Sequence, residues 1–378
     1  MQKGSIAILF TSMFLVMAGF AIIFPILPFF SMHLGATPFQ IGMLMASYSL
    51  MQFIFSPIWG SLSDRFGRKP IILIGLAGFA LTFVLFGLAN SLPMLFFSRI
   101  AGGILSSACL PTAMAYIADT TTPEERGGGM GMMGAAMGLG MIVGPAIGGI
   151  FSAFHFGAPF FLSAGVAAIN FIFAVIFLKE SKKPHDKAEI KFNYIQHIIS
   201  LEGYMLFIFC LVFLMSYSMS GYESTYSLLA NARLNYGSFQ MGILFTIMGL
   251  IGVVIQGLLM GRLVKWLGEE KLIKYGLLIS MIGFGLTAYA FNGFTIALFM
   301  GLAVVGWGLM RPSLASLVSK NTKLEEGATM GLMNSVDSLG RIVGPLAAGY
   351  MFQLNMGSPY ISSGLLNLIA LLAAMALI

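Results

Sequence analysis

Of the 378 residues, 58% are hydrophobic and only 9% are charged, and the formal net charge is +6. An ordinary soluble domain carries about a quarter charged residues, so a water-covered globule is excluded. The apolar residues also fall in continuous runs of about 20 residues, the length that crosses a bilayer as a helix, which excludes a barrel of alternating ten-residue strands.

The runs predict an all-α polytopic membrane protein with twelve transmembrane helices near 5–31, 39–61, 70–90, 93–118, 127–152, 157–179, 201–231, 238–261, 271–291, 293–319, 327–352 and 358–378. The first run is too long for a signal-peptide core and lacks a small-residue cleavage site, so it is expected to stay as helix one. In span two, Tyr48 and Gln52 lie one turn apart and are expected to line a cavity.

Between spans two and three stands Gly60-Ser-Leu-Ser-Asp64-Arg65-Phe-Gly67-Arg68-Lys69. Its glycines permit a tight turn and close helix approach. Asp64 falls at the C-terminal end of its helix, where the macrodipole disfavours an anion. It therefore needs a partner, either Arg68 or the N-terminus of a neighbouring helix, and such a contact can latch one bundle against the other. Asp119, at the cytoplasmic end of span four, has the same wrong-sign position and two candidate partners, Arg68 and Arg126. Simple solvation of these acids is the plainer alternative.

Span four carries Arg99, which should face the interior or an acid rather than lipid. Cys109 and Cys210 both fall inside spans, as small apolar residues do, so neither a disulfide framework nor a metal site is expected. In span five, Gly140, Gly144 and Gly148 at four-residue spacing make a flat stripe for close helix packing, and Pro145 adds a kink. The methionines around Met137 are expected mainly to fill gaps, with one or two touching substrate.

The polar stretch 180–200 is the natural linker between two bundles, 1–179 and 201–378. Beyond it, Glu223 lies within an apolar span, where a charge costs about 2.5–3.5 kcal/mol on insertion scales. An acid retained at that cost can exchange protons and attract a cation; the alternative is hydration near the outer surface. Tyr226, Gln256 in span eight and Trp307 in span ten are further cavity candidates, with Arg311 expected to face inward. Span eleven carries Asn334, Asp337 and Arg341; the last two, four residues apart, can pair. Asp337 is then either a second titrating acid or one half of a structural ion pair.

A shift of 200 residues aligns the two halves without a gap: Phe39-Gln-Ile-Gly42 with Phe239-Gln-Met-Gly242, Ile142-Val-Gly-Pro145 with Ile342-Val-Gly-Pro345, and Gly157 and Pro159 with Gly357 and Pro359. Six spans per repeat keep the orientation, so the halves are parallel and pseudo-symmetric, an architecture suited to alternating access. The basic residues cluster in alternate connections, from Arg65, Arg68 and Lys69 to Lys320 and Lys323, while the opposite side carries essentially Arg233 alone. By the positive-inside rule both termini are cytoplasmic.

The Gly60–Lys69 loop resembles the signature motif of the major facilitator superfamily. Leu95-Phe-Phe-Ser-Arg99-Ile-Ala-Gly-Gly103 resembles its span-four motif, and Gly140–Gly149 the span-five motif of antiporters. Gly19 with Pro25-Ile-Leu-Pro28, Glu223 and Arg311-Pro312 complete a likeness to the drug/proton antiporter branch, the NorA-like multidrug efflux pumps of Gram-positive bacteria. The resemblance implies proton coupling through Glu223. It also implies a second acid three residues before Arg311, where this chain has Gly308.

The expected function is proton-coupled antiport of amphipathic, cationic drugs out of a bacterial cell membrane; a narrower exporter of a metabolite, sugar or lipid-like compound is the alternative. No Gly-rich Lys-Ser/Thr nucleotide loop occurs, so no cofactor is expected beyond the proton gradient. The expected partners are a small-molecule substrate, protons and lipid, with no nucleic acid, and the chain is expected to be a monomer. An enzyme is not expected: His33, His155, His185 and His197 all fall in connections, without metal-ligand spacing.

Overall fold

The computed structural model of the protein describes residues 3–181, 203–321 and 326–377. Most of the predicted linker, from 182 to 200, lies outside them, as do Lys323 and the side chain of Arg126. Among the described residues every regular element is helical: α1 (Lys3–His33), α2 (Pro38–Phe66), α3 (Arg68–Gly87), α4 (Leu92–Ser106), α5 (Cys109–Thr120), α6 (Pro123–Ser152), α7 (Ala158–Phe177), α8 (Gly203–Leu234), α9 (Ser238–Val253), a π-helical turn (Val254–Leu259), α10 (Met260–Leu267), α11 (Glu269–Thr287), α12 (Gly293–Asn321), α13 (Glu326–Leu354) and α14 (Ser358–Leu377).

These make the twelve predicted spans, two of them interrupted. Span four breaks between α4 and α5 because Pro111 has no N–H to offer the carbonyl of Ser107 and its ring crowds that turn. Span eight passes through the π turn, whose wider winding re-aims the side chains around Gln256. Ten spans are long and apolar enough among the described residues to cross a bilayer on those grounds alone. The other two, α11 and α13, carry the charges that disqualify them: Glu269, Glu270, Lys271 and Lys274 open α11, while Asp337 and Arg341 sit within α13. They fall in register with α3 and α6 at the 200-residue repeat, and so complete the set.

The chain divides into two compact units. The first holds α1, the part of α2 from Ser47, α3 to α7, and Ser238–Thr246 of α9. The second holds Ala36–Ala46, α8, and the chain from Ile247 onward. The starts of spans two and eight are thus each grouped with the opposite half of the chain.

The same device holds each unit together. In the first, a Cβ at Gly140 or Gly144 would overlap the backbone of Phe14 or Ala18, so α6 lies directly on α1. In the second, Gly340 and Gly344 bring α13 equally close to Phe213 and Tyr217 of α8. The outer helix of each unit is then tied to the first by an amide: Asn170 Nδ2 donates to Ser12 Oγ at 2.8 Å, and Asn367 Nδ2 to Ser218 Oγ at 3.3 Å. Where lipid supplies no hydrophobic drive between helices, small-residue contact and such hydrogen bonds are the available attractions.

Candidate functional site

In the first unit the signature loop forms one charged cluster. Gly67 turns the chain between α2 and α3 with φ 97°, a conformation that suits glycine. That turn swings Arg68 inward, where it is 5% exposed. Its guanidinium donates to Ser63 Oγ at 2.5 Å, to Asp64 Oδ1 at 2.7 Å and to Asp119 Oδ2 at 2.9 Å. Both wrong-sign acids therefore meet the same arginine. Gly60 plays no such part: it lies inside α2 with open space where a side chain would stand.

Glu180, which no sequence motif singles out, completes this cluster. One carboxylate oxygen accepts from the Arg68 amide at 2.7 Å and the other from the Lys69 amide at 3.1 Å, so it caps α3 from 112 residues away. An anion on a helix N-terminus meets unsatisfied N–H groups and the positive end of the dipole. Tyr116 donates to the Lys179 carbonyl and Lys69 Nζ to the Val175 carbonyl, both at 2.8 Å, which ties the end of span six to the same place.

Deeper in this unit, Arg99 is buried and its guanidinium lies 4.4 Å from the centroid of the Tyr48 ring. Ser106 holds the Tyr48 hydroxyl at 2.9 Å. Gln52 is half-buried one turn further along α2. Met137 packs on the apolar core of the unit, where Met133 is fully buried, so this cluster is mainly packing. Gly148 belongs to the α6 face that meets α1 around Ile22 and Pro25, while the Pro145 carbonyl lies against Gly242 of α9.

In the second unit α8, α12 and α13 bring four charges together. Asp337 is held on both oxygens: Ser216 donates to one, and Arg341 Nε to the other at 3.1 Å. Ser216, 2% exposed, is another residue that spacing could not reveal. Glu223 is half-buried, and its electrostatic neighbours are Arg341, Asp337 and Arg311. Among the described residues Glu223 forms neither a hydrogen bond nor an ion pair. Arg311 is exposed in the middle of α12, its guanidinium 5.2 Å from the centroid of the Trp307 ring.

One cavity expectation comes out differently. Tyr226 is fully buried: it stacks on Tyr222 and donates to the Ile296 carbonyl at 3.0 Å, because a phenol aimed between packed helices finds its partner in the backbone. Asn334 stands exposed on α13 a turn before Asp337, without joining the ion pair. Gln256, in the π turn, borders Gly308; a Cβ on that glycine would lie 3.3 Å from Ile255 Cγ2 and 3.9 Å from Gln256 Cγ. Among the described residues no cluster of His, Cys, Asp or Glu could hold a metal ion.

The family model described as Major Facilitator Superfamily matches residues 9–323 and 270–378. The chain is similar to Multidrug resistance protein 2 of Bacillus subtilis, 33% identical over 98% of this chain and 94% of that protein. It is also similar to Quinolone resistance protein NorA of Staphylococcus aureus, 28% identical over 95% of this chain and 92% of that one. Among solved structures, the nucleoside transporter NupG covers 98% of this chain and 99% of its own, with a TM-score of 0.81 at 14% identity.

Proposed function

The chain belongs to the Major Facilitator Superfamily, and from that premise we propose that it exports amphipathic drug-like molecules from a bacterial cell in exchange for protons. Relatives named for multidrug and quinolone resistance over nearly the whole chain support the substrate side of this reading. The observation that carries the coupling side is Glu223, a carboxyl group within a membrane span that no hydrogen bond ties down among the described residues.

The two acids divide the work. Asp337, clasped by Ser216 and Arg341, is the fixed counter-ion of the cluster. Glu223, with its bonding capacity unused among the described residues, is the group that takes a proton from outside and gives it up inside. Each proton moving down the electrical potential releases about 2.3 kcal/mol per 100 mV, a drive large enough for accumulation without nucleotide. In an alternating-access cycle the protonation of Glu223 changes the charge of its cluster by one unit and so biases which face is open. The Arg68 cluster, on the cytoplasmic side, holds one of those states. Both termini then lie in the cytoplasm, and the single chain is the working unit.

The test is proton flux in proteoliposomes under an imposed pH gradient, with amphipathic dyes added, for the wild type and Glu223→Gln. Substrate-dependent flux in the wild type that vanishes in Glu223→Gln is the expected result. Normal coupled transport by Glu223→Gln would overturn the assignment.

A further inference from the structure

Asp337 and Arg341 close on one another, and the half-buried Glu223 and the exposed Arg311 complete the charged cluster of the second unit. Each acts on the other electrostatically, yet they form no ion pair, and among the described residues no hydrogen bond reaches either. Arg311 thus keeps five N–H donors unused at mid-span, against the face of Trp307. Gly308, one turn before it on α12, offers no acid to pair with it.

We propose that this arrangement selects zwitterionic amphiphiles: the ligand's anionic group is received by Arg311, its cationic group by Glu223, and its flat apolar body by Trp307. A ligand bearing only a cation would engage Glu223 and leave the Arg311 donors unused, while one bearing only an anion would do the reverse. A ligand carrying both signs engages both groups at once. The planar guanidinium suits a carboxylate, which it can engage through two parallel hydrogen bonds. A proton on Glu223 removes the negative charge that attracts the ligand's cationic group, so proton and ligand compete, as exchange requires. The proposal rests on the exporter reading and narrows the expected cationic substrates to those that also carry an anion.

The test compares two dyes on the purified full chain in nanodiscs, by equilibrium dialysis without a gradient: rhodamine B, which is zwitterionic, and its ethyl ester, which lacks only the carboxylate. Hydrogen bonds to a charged group contribute about 1.5–3 kcal/mol, so the wild type should bind rhodamine B about tenfold or more tightly than the ester. Arg311→Gln should erase that preference by weakening rhodamine B alone, and Arg311→Lys should retain part of it. Gly308→Asp, which places an acid three residues before Arg311 where a small shift of the Ile255 side chain, 3.3 Å from the new Cβ, admits it, should turn the preference toward the ester. Equal or tighter ester binding by the wild type, or equal weakening of both dyes in Arg311→Gln, overturns the proposal. Discrimination without proton flux would overturn the antiport reading alone. Glu223-dependent flux without discrimination would overturn this inference alone.

Discussion

Arg68 and Arg311 are both arginines of a charged cluster in a membrane protein, but they are used in opposite ways. Arg68 is buried with its donors spent on Ser63, Asp64 and Asp119, and its own amide is capped by Glu180. Arg311 is exposed, stacked on Trp307, and makes no hydrogen bond among the described residues. A saturated guanidinium fixes one arrangement of helices, since moving them leaves charges stranded. An unsaturated one costs little to leave as it is and offers its donors to whatever arrives. On the proposed reading, the difference separates the part of the molecule that holds a state from the part that reads a ligand.

Substitutions should fall on the two sides of this line. Arg68→Ala should have the largest effect on stability, about 3 kcal/mol in a denaturant titration of the detergent-solubilised protein. That is the low end for breaking a buried pair, because the side chains of Asp64 and Asp119 retain 41% and 25% exposure. Ser216→Ala should come next, at about 1.5 kcal/mol, since it removes a buried hydrogen bond to a carboxylate. If Asp337 is the fixed counter-ion, the same variant should leave the dependence of proton flux on Glu223 in place.

Glu180→Gln should cost less, about 0.5–1 kcal/mol by thermal melting, because the amide oxygen still caps one N–H while the charge at the helix terminus is lost. Arg311→Gln should cost least, under about 0.5 kcal/mol, as an exposed change away from structural bonds. A melting loss in Arg311→Gln as large as that in Arg68→Ala would erase the distinction between the two clusters.

The loop acids were legible because Asp64 and Asp119 sit at helix ends where a negative charge is unwelcome, which is a property of sequence position alone. Asp337 and Arg341 were legible as neighbours because four residues return to the same helical face. Glu180 and Ser216 were not: their partners lie 112 and 121 residues away, and no local pattern encodes such a distance. Tyr226 was misplaced for a related reason, since the rotation of α8 about its own axis decides whether a phenol faces open space or the backbone of α12.

By itself, then, the sequence determined the number and order of the membrane helices, their two-fold repeat and the positions of the charges within them, because crossing a bilayer demands long apolar runs in which any charge stands out. The tertiary structure decided which of those charges are spent on one another and which are left to act. That choice depends on how each helix is turned toward its neighbours, which glycine contacts and single hydrogen bonds settle only once the helices are packed.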